Sequence, residues 1–544
     1  IMHQNQFAAR LHRKVVEAVQ LPPVHEPDLA EPTGATEVKI PNRSFTHVKS
    51  LKPSFKYGVR RGGPDQDQYV RFALKQYNLS LYEEIAGGTR KPGGDAALYD
   101  ELRNFDGPDI KKLEDIPNQE VRSHILRAIR DAEKAFHLEQ KPKRLSMQES
   151  VDELKPNTAA GWPWIGKKKA LVMPEIAQMA EEIHNLVKPY CTDMEVRMPV
   201  EEFRLPWCMA ATRGGMTKDK TRPKTRLVWM FPSAILALEA RIASPLYKAY
   251  VKQCKPLLLG RSPSVYVQDW DADRDTTQWE LIGLDISHFD SEVKSFLVKE
   301  AFRIAFNNVH AFSTETLEKI QKMGTVKERN DHFRWEVNKH KRIRQLLQYY
   351  FINTPIMMPD GYAFRKKRGV PSGSFFTQVI DSIINYVYIR FTEYMQGTIF
   401  AHDKLRVLGD DSIDRVLRGT YDLEKAASDL EQHLKVTLSF KKSILASELK
   451  DLKVLGFEYE GGRARREEIE WIRFALYPEG DVDTLDLSFS RMMGLYICGG
   501  WNSKMFLAFF RYYQQGYPIR QEGEWSRGTR RMLTYVFGEE PTDT

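Results

Sequence analysis

Two hydrophobic runs in this sequence stop on aspartate. Trp279-Glu280-Leu281-Ile282-Gly283-Leu284-Asp285 reads as a buried strand that ends in an acid, and Ser287 to Ser291 follow as a turn opening a helix. Leu405-Arg406-Val407-Leu408-Gly409-Asp410-Asp411 and Ser412 to Leu417 read as two short strands about a tight turn, with Gly409 supplying the unusual backbone angle. A buried carboxylate is costly unless a cation or hydrogen-bond donors face it. Either aspartate alone is equally a turn or helix cap. Together they suggest neighbouring strands, whose backbones lie ~4.8 Å apart. Asp285 and Asp410 could then grip two Mg²⁺ ions ~3.5–4 Å apart, the spacing of in-line displacement at phosphorus. Oxygen ligands suit Mg²⁺, which also draws ligands from substrate phosphates.

A second feature is cationic. Lys218, Lys220, Arg222, Lys224 and Arg226 repeat at period two, so an extended segment would aim all five to one side. Such a row suits a channel for a triphosphate or an RNA backbone; a solvated edge strand is the other reading. The whole chain of 544 residues carries 81 Lys and Arg against 73 Asp and Glu, a net +8 that fits a polyanion partner without requiring one. With 42% hydrophobic and 28% charged residues it is globular, and its four cysteines form no C-x-x-C pair, which argues against a disulfide scaffold or a cysteine-rich zinc site. The most apolar stretch, Leu227 to Ala240, is broken by Pro232 and is shorter than the ~20 residues a bilayer needs, so no membrane partner is expected. The N-terminus lacks the unbroken apolar core of a secretory signal.

Gly369-Val370-Pro371-Ser372-Gly373-Ser374-Phe375-Phe376-Thr377 supplies a third motif, a Gly-rich loop running into a helix. In order and separation, Asp285 with Asp290, this loop, and Gly409-Asp410-Asp411 resemble palm motifs A, B and C of viral RNA-dependent RNA polymerases. The wording is most similar to partitivirus polymerases, with picobirnavirus polymerases second. The resemblance runs from about Pro156 to Gly462. It implies an α+β fold: a closed right hand of fingers, palm and thumb, with an antiparallel palm sheet and largely helical fingers and thumb. The expected division is 1–60 as an N-terminal helix (Ile1–Gln20) and Pro-rich connector bridging subdomains, 61–279 as mainly fingers with some palm from about 230, and 280–300 as palm with motif A. Residues 301–360 would be a fingers insertion, 361–462 palm with motifs B to E, and 463–544 thumb and tail.

By the same resemblance, Asp285 and Asp410 are the principal metal ligands, with Asp411 a weaker neighbour. Two Mg²⁺ ions, with Mn²⁺ as substitute, are the implied cofactors. Asp290 senses the ribose hydroxyls, and an acid there favours ribonucleotides because it accepts a hydrogen bond from a hydroxyl. Ser372 and Gly373 would let the backbone approach nucleotide or template. Thr377, Asp381 and Asn385 recur every four residues on one helix face. Many plus-strand RNA virus polymerases have Asn where this chain has Asp381, and two adjacent acids repel unless one is protonated or a donor intervenes. Segment 218–229 matches motif F. Arg226 would stack over the incoming base, while Lys220, Arg222 and Lys224 neutralise phosphates; Lys218 is a weaker candidate.

Gly161 and Trp162 resemble motif G on the template path, where Trp could stack on a base; an ordinary Pro-Gly loop is the alternative. Lys441 and Lys442 are the motif D candidates for general acid to pyrophosphate, after a helix through Leu434 and a strand Val436–Phe440; an ordinary surface pair is the other reading. Leu455 to Tyr459 resembles motif E. Lys167–Lys169 read as solvated surface or as part of the entry funnel, Lys339–Arg344 as solvated surface, and His288 and His402 as structural. The aromatic and basic tail from Leu487, with Trp525, Arg530 and Arg531, suits a helical thumb touching duplex RNA, although most of its aromatics read as core.

The implied function is template-directed RNA synthesis for a double-stranded RNA virus. Template and product RNA, ribonucleoside triphosphates and a viral capsid protein are the implied partners, within the virion interior and host cytoplasm. A reverse transcriptase is the first alternative, disfavoured by Asp290 and Gly409. A non-catalytic RNA-packaging protein is the second, for which paired buried acids are pointless. A serine hydrolase centred on Ser372 lacks a nucleophile elbow.

Overall fold

The structure is a computed structural model that describes residues 46–50, 65–202, 204–254, 256–259, 263–460 and 463–516. The expected helix Ile1–Gln20, the connector after it, and Trp525, Arg530 and Arg531 lie outside the described residues. Among the described residues the strands are β1 (Thr46–Ser50), β2 (Cys208–Gly215), β3 (Lys224–Met230), β4 (Trp279–Gly283), β5 (Pro355–Met357), β6 (Tyr362–Arg365), β7 (Arg406–Leu408), β8 (Asp411–Leu417), β9 (Ile444–Ala446), β10 (Lys453–Val454), β11 (Phe457–Glu460) and β12 (Arg463–Arg465). They form a four-stranded sheet ordered β7-β8-β4-β9, a five-stranded sheet ordered β1-β6-β5-β2-β3, and a small sheet β10-β11-β12. Helices account for most of the rest, so the content is α+β.

The four-stranded sheet is antiparallel throughout. Behind it lies the helix Thr377–Gln396, buried over nearly its whole length and stopped by Gly397 at φ 65°. Its apolar residues join one large core with the helices Gln119–Ala135, Ser233–Gln253 and Ser295–Asn307. The helix Gln119–Ala135 begins where Asn118 accepts hydrogen bonds from the Glu120 and Val121 amides, and it buries Val121, Ile125, Ala128, Ile129 and Ala132 at helical spacing.

A second core joins distant parts of the chain. The helices Gln68–Tyr77 and Leu79–Ala86 pack Val70, Leu74 and Ile85 against Trp471, Phe509 and Tyr513 of the C-terminal helices. Asp67, fully buried, caps the first of these helices and also accepts hydrogen bonds from Ser488 and Arg491.

Several expectations fail for local reasons. Lys218 to Arg222 do not continue the extended row: Asp219 accepts hydrogen bonds from the Thr221 amide and hydroxyl and bends them into a turn, leaving only Lys224 and Arg226 on β3. Val436–Phe440 is not a strand of the sheet. It makes one bridge, Leu438 to Ile286, and runs beside Asp285 through Ser287. Lys339 is not solvated. It is 2% exposed and donates to the His184 and Val187 carbonyls at the end of the helix Met173–Leu186, the end that attracts a cation. Lys169 is likewise buried, donating to Thr158 Oγ1 at 2.6 Å and Ala159 O at 2.8 Å.

Candidate active site

β4 pairs with β8 so that Ile282 lies opposite Asp414, and the register carries on past the strand end. There the Leu284 amide donates to Ser412 Oγ at 3.3 Å. One step further, Asp285 stands level with the turn between β7 and β8. Leu408 pairs with Asp411 across that turn, so Gly409 and Asp410 are its central residues. Gly409 has φ 62°, the signature of a II′ turn with glycine first. Asp410 is exposed at the tip, whereas Asp285 and Asp411 are partly buried beside it.

The surroundings fix this arrangement. Ser443 Oγ accepts from the Asp285 amide at 2.9 Å, and the Ser439 amide donates to the Asp285 carbonyl at 2.8 Å. From the helix Thr377–Gln396, Ser382 Oγ accepts from the Gly409 amide at 2.8 Å. Asn385 Nδ2 donates to the Gly409 and Asp411 carbonyls at 3.0 and 3.3 Å. Asp290, in the short helix Phe289–Glu292, is pushed up to about 7 by burial and then by the Asp410 charge, with Arg226 pulling it back. Asp381 is raised well above the carboxylate range by burial and then by Asp290 and Asp410, and its Oδ1 accepts no hydrogen bond among the described residues. Burial and then Asp410 raise Asp411 to about 6. The acids thus crowd one another, and burial with the neighbouring charges shifts Asp381 toward its protonated form.

Lys442 answers part of that charge: its Nζ lies 3.2 and 3.4 Å from the two Asp285 oxygens. Lys441 makes no such contact, so geometry separates the two motif D candidates. Among the described residues no three His, Cys, Asp or Glu side chains gather tightly enough to form a closed metal cage. The donor set is nonetheless all oxygen, and a cationic group already sits against Asp285. This fits a hard divalent ion held by one or two carboxylates and completed by substrate phosphates.

The motif B loop is clamped from two sides. Ser372 Oγ donates to Leu227 O at 3.2 Å, and a Cβ added to Gly373 would meet Trp229 O at 1.7 Å. One close approach that Gly373 permits is to the Trp229 carbonyl of β3. On the other side Glu239 accepts from Ser374 Oγ at 2.7 Å and the Phe375 amide at 2.8 Å. Thr377 Oγ1 donates to Pro371 O at 2.7 Å, closing the loop on itself.

A family model described as viral RNA-dependent RNA polymerase matches residues 64–514. The chain belongs to that family. Among curated viral polymerases it is 26% identical over 279 residues to the RNA-directed RNA polymerase of Cryptosporidium parvum virus 1 (strain KSU-1), covering 49% of this chain and 44% of that protein. It is 25% identical over 232 residues to the RNA-directed RNA polymerase of White clover cryptic virus 1 (isolate Boccardo/2004), covering 39% of this chain and 35% of the relative. The chain thus spans less than half the length of the curated relatives it matches. Among solved structures, the RNA-dependent RNA polymerase of a human picobirnavirus superposes with TM-score 0.58 at 14% identity, covering 85% of this chain and 86% of that one. Viral RNA-dependent RNA polymerases therefore share its fold, and the resemblance stated from the motifs is borne out. The comparisons favour neither a reverse transcriptase nor a packaging protein.

Within this polymerase frame the remaining expected residues divide. Lys224 and Arg226 are exposed on β3, with Arg226 in electrostatic reach of Asp290. Arg222 is exposed in the preceding turn, and Lys220 lies 4.0 Å from Asp65. Gly161 takes φ 73° against the Phe231 carbonyl. Trp162 is a correction: it is fully buried and stacks on Trp207 at 6.0 Å, so its ring is core and cannot meet a template base. Sequence reasoning missed Glu239, Ser382 and Ser443. Asn385 was visible only as part of the polar row that begins at Thr377.

Proposed function

We propose that this chain catalyses template-directed RNA synthesis by two-metal nucleotidyl transfer from ribonucleoside triphosphates. The carrying observation is the register that sets Asp285 level with the Gly409-Asp410-Asp411 turn, with the cationic end of β3 close by. Asp285 and Asp410 would hold two Mg²⁺ ions, or Mn²⁺ in their place, with Asp411 supporting. When bound, the ions supply an activated 3′ hydroxyl and neutralise charge on the leaving pyrophosphate. The chain's own residues position and neutralise. Asp290 accepts a hydrogen bond from a ribose hydroxyl, and the upward shift of Asp381 beside it eases repulsion between the pair. Arg226, Lys224, Arg222 and Lys220 meet the triphosphate. Lys442, already against Asp285, is the better placed proton donor to pyrophosphate.

The same proposal includes the right-hand layout of fingers, palm and thumb. It also includes work on a double-stranded RNA genome beside a capsid protein, in the virion and host cytoplasm. The partitivirus-like motif wording supports both.

The test is RNA synthesis on defined templates, with and without primer, with Mg²⁺ or Mn²⁺ and with each nucleotide type. Asp410→Asn should lower elongation by at least a thousandfold while template affinity changes less than threefold. Undiminished synthesis by that variant discards the metal assignment, and equal use of deoxyribonucleotides discards the role of Asp290.

A further inference from the structure

A cavity of about 1110 Å³ lies away from the site acids, between the helix Gln119–Ala135 and the C-terminal half of the helix Thr377–Gln396. At 100° per residue, Asp381 and Asn385 share one face of the second helix. Tyr386, Arg390 and Tyr394, which line the cavity, share the opposite face. None of Asp285, Asp290, Asp381, Asp410 or Asp411 contributes to its wall. We propose that this cavity is a second RNA site, which takes the phosphates of a single strand on a ladder of cations and offers planar groups to its bases. The proposal goes beyond the reading of the catalytic cleft and does not depend on it.

Three observations carry it. First, Arg127, Arg130 and Lys134 line the cavity from one helix face, all exposed. At ~1.5 Å rise per residue they step by ~4.5–6 Å along the groove. Among the described residues none of the three makes an ion pair. A solvated basic face usually recruits acidic neighbours at helical spacing; here Asp131, the acid within this row, is engaged by the Tyr394 hydroxyl instead.

Second, among the described residues no carboxylate pairs with Arg406 on the cavity wall. Arg406 is only 9% exposed. It donates to Tyr266 Oη at 2.6 Å and to the Asp403 and Leu405 carbonyls at 2.6 and 3.0 Å. Carbonyls and a phenol satisfy its hydrogen bonds but not its charge, and a buried cation without an anion is expensive. Arg390, by contrast, is neutralised by Glu393 and Asp414 at 2.5 and 2.7 Å and serves as structure.

Third, the groove presents planar surfaces. The Arg127 guanidinium lies over the Tyr394 ring at 4.2 Å, and both residues line the cavity. Bases splayed from a single strand stack on guanidinium planes and aromatic rings. Leu126, 40% exposed on the rim, adds apolar surface of the same kind. Asp131, Asp403 and Glu139 also line the cavity and repel any polyanion alike, so the planar groups are what favour a nucleic acid over an acidic peptide.

The experiment is photo-crosslinking of the full chain to a 4-thiouridine-containing single-stranded RNA 12-mer, with peptide mapping, beside a salt titration of its affinity. Crosslinks are expected in the segment Arg127–Lys134 and at Tyr394, as well as in the segment Lys220–Arg226. Changing Arg127, Arg130 and Lys134 to Glu should abolish the first set, keep the second, and weaken groove binding at least tenfold. The slope of log K against log salt should fall by about 2, from ~0.7 per phosphate on three cations. If the triple variant melts early, Arg130→Glu alone should reduce the groove crosslinks selectively. Crosslinks confined to Lys220–Arg226 overturn the proposal, as does a groove signal that survives the substitutions. A polyglutamate peptide that displaces RNA from the groove at equal charge concentration overturns it in favour of an acidic protein segment.

Discussion

Glu239 shows how one buried side chain can set a functional loop. It is 1% exposed, and burial raises it to about 8, although it accepts two hydrogen bonds from the motif B loop. Its folded pKa lies above the unfolded value, so the folded state binds more protons between about 4.5 and 8. Stability is therefore greatest below that window and falls as pH rises through it. Glu239→Gln cannot ionise, and its amide can still pair with Ser374 Oγ and the Phe375 amide. The drop in melting temperature between pH 6 and pH 8.5 should be smaller in the variant than in the wild type. An identical drop in both proteins would show that Glu239 does not titrate in this window. Nothing in the local sequence marked Glu239, because its partners lie about 135 residues away. The aspartates were legible because two apolar runs both close on an acid, which together is anomalous although either alone could be a cap. Lys441 and Lys442 could not be separated for the opposite reason: the distinction is a contact with Asp285, 157 residues away.

At the scale of elements, the helix Thr377–Gln396 holds the turn that carries Asp410. Ser382 and Asn385 supply the acceptor and the donor that the turn's backbone needs. Asn385→Ala should cost at least tenfold in elongation, with little change in RNA affinity. Asn385→Asp should be worse than Ala, because a carboxylate oxygen would face the Gly409 and Asp411 carbonyls that now receive a donor. If Asp proves as active as Asn, the amide is not what holds the turn. Steady-state elongation on a primed template measures both. The strands and helices around this turn were largely readable from periodicity and turn chemistry. The failures came where a side chain overrode the pattern. Asp219 folds the first part of the cationic row into a turn, and carbonyls at a helix end draw Lys339 inside. Both depend on a partner that hydrophobic spacing does not encode.

For the molecule as a whole, the contact between the helices of residues 68–86 and those of residues 468–516 is the feature least visible in the sequence, because no motif at either end announces the other. Asp67 is its polar pin. Asp67→Ala should strip partners from Ser488 and Arg491 and cost about 3–5 kcal/mol, the usual price of breaking a buried charged pair. Hydrogen exchange should then speed up together in residues 68–86 and 471–513. Faster exchange confined to the first segment would mean that Asp67 only caps its own helix.

That pairing also orders events during synthesis. The apolar faces of Val70, Leu74 and Ile85 find their cover in side chains translated some 400 residues later. Until Trp471 and Phe509 leave the ribosome, the early helices have nothing to pack on, and long-range closures of this kind are slow. Nascent chains halted short of residue 471 should keep these helices open to protease, however complete the aspartate site between them has become.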